Sequence, residues 1–191
     1  MLIGLVGKKR SGKDTVYSYI NEFVPAYRMA FADPLKESVC ELLGISREGL
    51  EILKEQTEIR IGLNIEPKFN PEIQILNLNM REFLQRYGTE AHRNVFGTNF
   101  WVDAVLPDDF YHEDYMCVVT DCRFDNEVNR IRYLGGKIVK VERPSVVTTD
   151  IHASEAMELS DSVIDYKIIN DGDLEHLKHK VYEMLESFGS V

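Results

Sequence analysis

The stretch Leu2-Ile3-Gly4-Leu5-Val6-Gly7-Lys8-Lys9-Arg10-Ser11-Gly12-Lys13-Asp14-Thr15 decides how this chain is read. Its first five residues are a short apolar run closed by Gly7, the pattern of a strand buried on both faces. Beyond Thr15, apolar residues recur as Val16, Tyr19, Ile20 and Phe23, the period of a helix with one inward face. Pro25 ends that helix. Between strand and helix lies the frame G-x-x-x-x-G-K, from Gly7 to Lys13. A strand before it and a helix after it are the setting in which this frame binds phosphate. Gly7 and Gly12 let the backbone curl so that successive N–H groups, including those around Lys9 and Ser11, face an anion. The helix N-terminus adds partial positive charge, and Lys13 reaches the β- and γ-phosphates as a point charge.

The charge pattern agrees. Lys8, Lys9, Arg10 and Lys13 crowd one turn of a chain that in all carries 32 acidic against 22 basic residues, a net charge of −10. One position departs from the usual frame, because Asp14 stands where Ser or Thr contacts magnesium. Either Asp14 holds Mg²⁺ through a water while the Thr15 hydroxyl bonds a phosphate oxygen, or Asp14 only complements the helix dipole.

Outward from the loop, strands and helices alternate. Tyr27 to Ala32 reads as a second strand. Asp33-Pro34 supplies an N-cap and a first-turn proline for a helix that turns Leu35, Val39, Leu42 and Leu43 inward and stops at Gly44. From Ile45 to Asn79 the pattern weakens, as expected of an inserted lobe. Asn79 with Glu82 predicts a capping box, opening a helix that buries Met80, Phe83, Leu84 and Tyr87. Tyr115–Thr120, Lys137–Glu142 and Tyr166–Ile169 read as further strands. Between the first two of these, Asp125 caps a helix bearing Val128, Ile131 and Leu134. A last helix over 173–188 buries Leu174, Leu177, Val181, Leu185 and Phe188. Such alternation implies an α/β fold, a mainly parallel five-stranded sheet covered by helices on both faces.

Composition excludes several function classes. With 191 residues, 44% of them apolar, the chain suits one domain with a small inserted lobe. The net negative charge disfavours polymeric nucleic acid and anionic membranes as partners. No apolar run approaches the ~20 residues that span a bilayer, and Lys8–Arg10 follow the apolar N-terminus in the reverse order of a secretory signal. Cys40, Cys117 and Cys122 form neither a C-x-x-C pair nor a zinc pattern, so reduced thiols and a cytoplasmic location are expected.

Among chains with a phosphate loop, the N-K-x-D motif of guanine-binding switches is missing, since Asn170-Asp171-Gly172-Asp173 lacks the lysine. The size suits a small-molecule kinase. Several residues await a partner in such an enzyme. Arg10, inside the loop, is expected to face the transferring or acceptor phosphate. Asp121 closes an apolar strand, where ligands of open parallel sheets gather; it holds magnesium through water, orients Arg123, or is a structural cap. Arg123 and Glu127 lie four apart, the spacing of a weak surface ion pair. Lys36, in a helix's first turn, is adverse to the dipole unless an anion arrives. Trp101 beside Phe100 is either core or a stacking platform, and Arg81 and Arg86 are further acceptor-side candidates.

An ordered set of stretches resembles the deoxynucleoside monophosphate kinases of tailed bacteriophages. The set comprises K-R-S-G-K-D-T of the loop, Ala32-Asp33-Pro34-Leu35-Lys36, Leu84-Gln85-Arg86-Tyr87-Gly88-Thr89 and Phe100-Trp101-Val102. Thr120 to Glu127, Val141 to Pro144, Asp150 to Glu155 and Ile169 to Gly172 complete it. The similarity runs over most of the chain and is weakest over 45–79. It implies a P-loop NTPase fold with an acceptor lobe near 45–79 and a lid near 144–162 that includes His152, Ser154 and Glu155. It implies ATP as phosphoryl donor, Mg²⁺, a deoxynucleoside monophosphate as acceptor, and a homodimer as a common assembly. On that resemblance Lys13, Arg10 and Arg123 carry catalysis. Arg123 then meets the monophosphate, Glu127 the base or sugar, and Trp101 stacks on the acceptor. Phosphorylation of another small acceptor, a dephospho-coenzyme or an isoprenoid phosphate, and a non-catalytic ATP-sensing module are the competing readings.

Overall fold

The computed structural model describes residues 1–56, 61–62, 77–111, 114–145 and 159–191. His112, the lid residues His152, Ser154 and Glu155, and most of the 45–79 excursion's second half lie outside them. Two compact units form, Met1–Phe31 with Val102–Val191, and Ala32–Trp101.

The first unit is built on a five-stranded, wholly parallel sheet. Its strands are β1 (Leu2–Val6), β2 (Ala26–Met29), β5 (Met116–Cys122), β6 (Lys137–Glu142) and β7 (Tyr166–Ile169), in the order β2-β5-β1-β6-β7. Every residue of β1 is buried, as its unbroken apolar run requires. Ile3 and Leu5 face one side, where α1 (Lys13–Phe23) and the last helix, α8 (Leu174–Ser187), pack Val16, Ile20, Leu177, Val181 and Met184. Leu2 and Val6 face the other, with Phe31, Val102, Leu106 and the Val128 and Ile131 of α7 (Asp125–Tyr133). Helices therefore cover both faces. The chain runs outward from β1 to edge strand β2, returns to β5 beside β1, and then crosses to β6 and β7 on the other side. That reversal leaves a crevice at the carboxyl ends of the central strands.

The second unit holds α2 (Ala32–Leu43), α3 (Arg47–Glu55), the two-residue strands β3 (Ile61–Gly62) and β4 (Asn77–Leu78), and a helical run from Met80 to Phe96. In that run α4 (Met80–Gln85) widens into a π-helical stretch, Arg86–Arg93, and closes as α5 (Asn94–Phe96). Its core is Val39, Cys40, Leu50, Leu78, Met80 and Phe83. The boundary between units falls inside α6 (Phe100–Val105), after Trp101.

Several local expectations meet the tertiary structure. The Asn79–Glu82 capping box forms, with Asn79 Oδ1 taking the Glu82 N–H and the Glu82 carboxylate taking the Asn79 N–H, both at 2.9 Å. Asp33 is not an N-cap: α2 already begins at Ala32, and the carboxylate pairs instead with Arg47 at 2.7 Å. The second strand stops at Met29, and Ala30 and Phe31 are buried beyond it. Leu42 and Leu174, expected inside, are 58% and 63% exposed, because the helix faces that pack are set by Val39–Cys40 and by Leu177–Val181–Met184. Asp125 is the first residue of α7 and not its cap. The excursion contains a full helix, α3, capped by Ser46 Oγ, which accepts the Gly49 N–H.

Helix α3 also carries a half-exposed carboxylate gripped by two lysines. Glu51 meets Lys36 at 3.0 Å and Lys54 at 2.6 Å. Burial pushes its carboxyl up, but the hydrogen bonds from Lys54 and Lys36 outweigh that and hold it down to about 2. A depressed carboxyl contributes stability above its unfolded pKa and loses it as pH falls through the folded one. Glu51→Gln is therefore expected to lower the urea midpoint at pH 6. The difference from the parent chain should shrink steadily below pH 4.5 and vanish near pH 2. Because the pair is half in water, 1 M salt should reduce the same difference.

Candidate functional site

The loop between β1 and α1 takes its shape from three left-handed residues. Gly7 has φ 147°, Arg10 φ 64° and Gly12 φ 107°. At Gly7 the backbone of β6 presses close: a Cβ there would lie 2.3 Å from the Val141 carbonyl oxygen. At Gly12 a Cβ would lie 2.6 Å from Asn170 Nδ2. Both motif glycines are thus required by neighbours from other strands as well as by their own dihedrals. Arg10 holds a conformation that is costly for a residue with a Cβ, and its side chain is exposed, as are those of Lys8 and Lys9.

Gly12 occupies the N-cap position of α1, so no side chain caps the helix. The N-cap residue thus offers no side-chain acceptor to the first turn, and the dipole favours an anion there. Lys13 folds back across the loop, donating to the Gly7 carbonyl at 2.7 Å and the Lys8 carbonyl at 3.0 Å. Ser11 Oγ is buried and has no hydrogen-bond partner among the described residues. Asp14 is exposed in the first helical turn, and Thr15 is half-buried behind it.

Strand register brings further groups to this end of the sheet. Val6 of β1 lies opposite Cys122 of β5, which sets Asp121 and Arg123 beside the start of the loop. Asp121 Oδ1 accepts the Phe31 N–H at 2.8 Å, tethering the segment after β2. Arg123 is exposed just past the strand. Glu127 is 2% exposed, and one carboxylate oxygen accepts the N–H groups of Arg123 at 2.7 Å and Phe124 at 3.1 Å. These bonds shape the β5–α7 turn that presents Arg123. Glu127→Gln keeps the shape but weakens charge-assisted bonds, so a loss of about 1.5 kcal/mol and about 4 °C in Tm is expected in a thermal melt. Cys122 lies between these groups. Burial first, then the negative charges of Glu127 and Asp121, push its thiol well above the usual range, so it is not a nucleophile.

The remaining candidates belong to the second unit. Lys36 pairs with Glu51 and Arg81 with Glu55, which ties both to α3. Arg86 is exposed at the start of the π-helical stretch. Trp101 is 5% exposed and donates its Nε1–H to the Gly88 carbonyl at 3.0 Å, with Phe100 and His92 against its ring. His92, which showed no ligand pattern in sequence, is the hub of that aromatic group and bonds the Tyr87 carbonyl. Among the described residues no cluster of three His, Cys, Asp or Glu forms a metal cage, and all three cysteines are free and buried.

One residue outside the expected set, Asn170, also reaches the loop. It directly follows β7, is 8% exposed, and its side chain donates to the Ser11 carbonyl at 2.9 Å.

Residues 1–68 and 48–181 match the family profile described as deoxynucleotide monophosphate kinase. The chain is 30% identical over 202 residues to a protein of Acanthamoeba polyphaga mimivirus provisionally named a deoxynucleotide monophosphate kinase, covering 98% of this chain and 97% of that one. It is 28% identical over 243 residues to the deoxynucleotide monophosphate kinase of Escherichia phage RB69, covering 96% of this chain and 99% of the other. Among solved structures, a shikimate kinase from Aquifex aeolicus aligns over 99% of this chain and 98% of its own, with TM-score 0.49 and 15% identity.

Proposed function

The chain belongs to the deoxynucleotide monophosphate kinase family, and on that premise we propose that it transfers the γ-phosphoryl group of ATP to a deoxynucleoside 5′-monophosphate. The observation that carries this reading is the side-chain-free N-terminus of α1, fronted by a basic glycine loop with Lys13 at its mouth. In the reaction an oxygen of the acceptor monophosphate bonds to the γ-phosphorus. The bond to the β–γ bridging oxygen breaks, and ADP leaves as the deoxynucleoside diphosphate forms. The acceptor oxygen is already anionic, so no general base is required, and catalysis is positioning and neutralisation of charge.

Each loop residue has a place in that scheme. The N–H groups around Lys9, Gly12 and Lys13 cradle the donor phosphates, that of Ser11 closing the loop on the Lys8 carbonyl at 3.1 Å, and Thr15 stands behind them. Lys13 exchanges its bonds with the Gly7 and Lys8 carbonyls for bonds to the β- and γ-phosphates. Arg10 and Arg123, both exposed near the loop, neutralise the transferring and acceptor phosphates. Lys36, Arg81 and Arg86 serve the acceptor side, the first two after release from Glu51 and Glu55. The donor set suits Mg²⁺, which takes one or two carboxylates and otherwise phosphate and water oxygens; Asp14 and Asp121 would hold it through water. When bound, the ion offsets charge on the β- and γ-oxygens.

Such an enzyme supplies deoxynucleotides for DNA synthesis and works where ATP and free monophosphates are held, in the cytoplasm. An ADP-release assay with each deoxynucleoside monophosphate tests the reading, with turnover expected for at least one. Turnover only with a dephospho-coenzyme or an isoprenoid phosphate, or ATP binding without transfer to any acceptor, would replace it.

A further inference from the structure

The phosphate loop is held from beneath by a residue 159 positions away in the chain. Asn170 Nδ2 donates to the Ser11 carbonyl at 2.9 Å, and Asn170's own N–H donates to the Glu142 carbonyl at 2.6 Å. Lys180, on α8, grips both neighbours of Asn170: its ammonium donates to the Ile169 carbonyl at 2.6 Å and to the Asp171 carboxylate at 2.8 Å. The amide is therefore fixed on a strand end, and Gly12 is the residue whose missing Cβ leaves room for it.

The consequence follows from peptide geometry. A trans peptide is planar, so the Ser11 carbonyl and the Gly12 N–H point in opposite directions. Anchoring the carbonyl on Asn170 turns the Gly12 N–H away from the sheet side of the loop. We propose that Asn170 is a positioning residue of the donor site, which sets the peptide after Ser11 in the orientation that binds the polyphosphate. The proposal rests on the reading of this loop as the ATP site and deepens it. In this role Asn170 needs no contact with substrate. It acts through the loop backbone, so its loss should weaken binding of the donor and leave the acceptor alone.

The test uses the full chain, titrated with a non-hydrolysable ATP analogue, alongside the KM for the best deoxynucleoside monophosphate. In N170A the analogue's Kd is expected to rise about tenfold, with the acceptor KM unchanged. In N170D a carboxylate faces the Ser11 carbonyl, so binding at pH 8 should be weaker than in N170A. Lowering the pH to 5.5 protonates that buried carboxyl, which burial makes easier. An O–H then replaces the lost N–H, and affinity should return toward the parent value. A general loosening of the fold would not produce that recovery. Should N170A fail to fold, the pH profile of the isosteric N170D decides alone. Parent-like Kd in both variants, an N170D profile parallel to the parent's, or an equal rise in the acceptor KM would each overturn the proposal. A parent chain that binds no ATP analogue would sink the donor-site reading itself, and this inference with it.

Discussion

Lys13→Ala is expected to lower kcat by about a thousandfold while leaving the melting temperature nearly unchanged. The ammonium now bridges two carbonyls of its own loop, at Gly7 and Lys8, in a partly solvated setting. Those bonds are replaceable by water, so the fold does not depend on them. On the proposed scheme water is a poor substitute for that ammonium at the transferring phosphoryl group, because the loop N–H groups are dipoles and Lys13 is the cation at the first residue of α1. Steady-state kinetics with saturating acceptor reads the effect. A variant with parent-like turnover would contradict the assigned role of the loop, and a large fall in Tm would mean that Lys13 is structural. Lys13→Arg should recover little, since a planar fork does not reproduce a compact ammonium.

Gly7→Ala should have the largest effect on the fold. Its φ of 147° lies in territory that side chains avoid, and a methyl would stand 2.3 Å from the Val141 carbonyl oxygen. The obstacle is backbone of a central strand, β6, held on both sides in the parallel sheet, so it cannot yield as a flexible side chain would. Strain and overlap together are expected to cost about 3 kcal/mol, about 10 °C in Tm for a chain of this size. Relief by moving Gly7 would reshape the loop, so ATP affinity should fall as well. Differential scanning calorimetry and analogue titration measure the two losses. A variant that keeps both would mean the β6 carbonyl is free to move.

The parts of the site legible in sequence are those made by contiguous residues. The run Leu2–Val6, the frame Gly7–Lys13 and the helical period after Thr15 specify a strand, an anion-binding turn and a helix without reference to the rest of the chain. Asn79 and Glu82 reach each other for the same reason, being three residues apart at a helix start. Side chains whose partners are distant read less well. Asp33 looks like a cap but pairs with Arg47, because α2 starts one residue earlier and α3 approaches it. Trp101 reads in sequence as core or as platform, and its bond to the Gly88 carbonyl and its neighbours Phe100 and His92 come only from the tertiary structure. Glu127 has the spacing of an ion pair with Arg123, yet it contacts that residue through the backbone N–H.

By itself, the sequence determined that this chain folds as strand–loop–helix units around a buried parallel sheet, with a basic glycine loop at the first turn. Period, glycines and local charge are properties of neighbouring residues, and they suffice for that. The tertiary structure alone decided what holds the loop and what Lys36 and Arg81 touch. Asn170 reaches Ser11 because β7 ends the sheet on the same side as β1, and Val141 reaches Gly7 because β6 lies beside β1. Lys36 and Arg81 meet Glu51 and Glu55 because α3 carries those carboxylates to them. Such contacts depend on strand order and helix docking, which pattern along the chain does not encode.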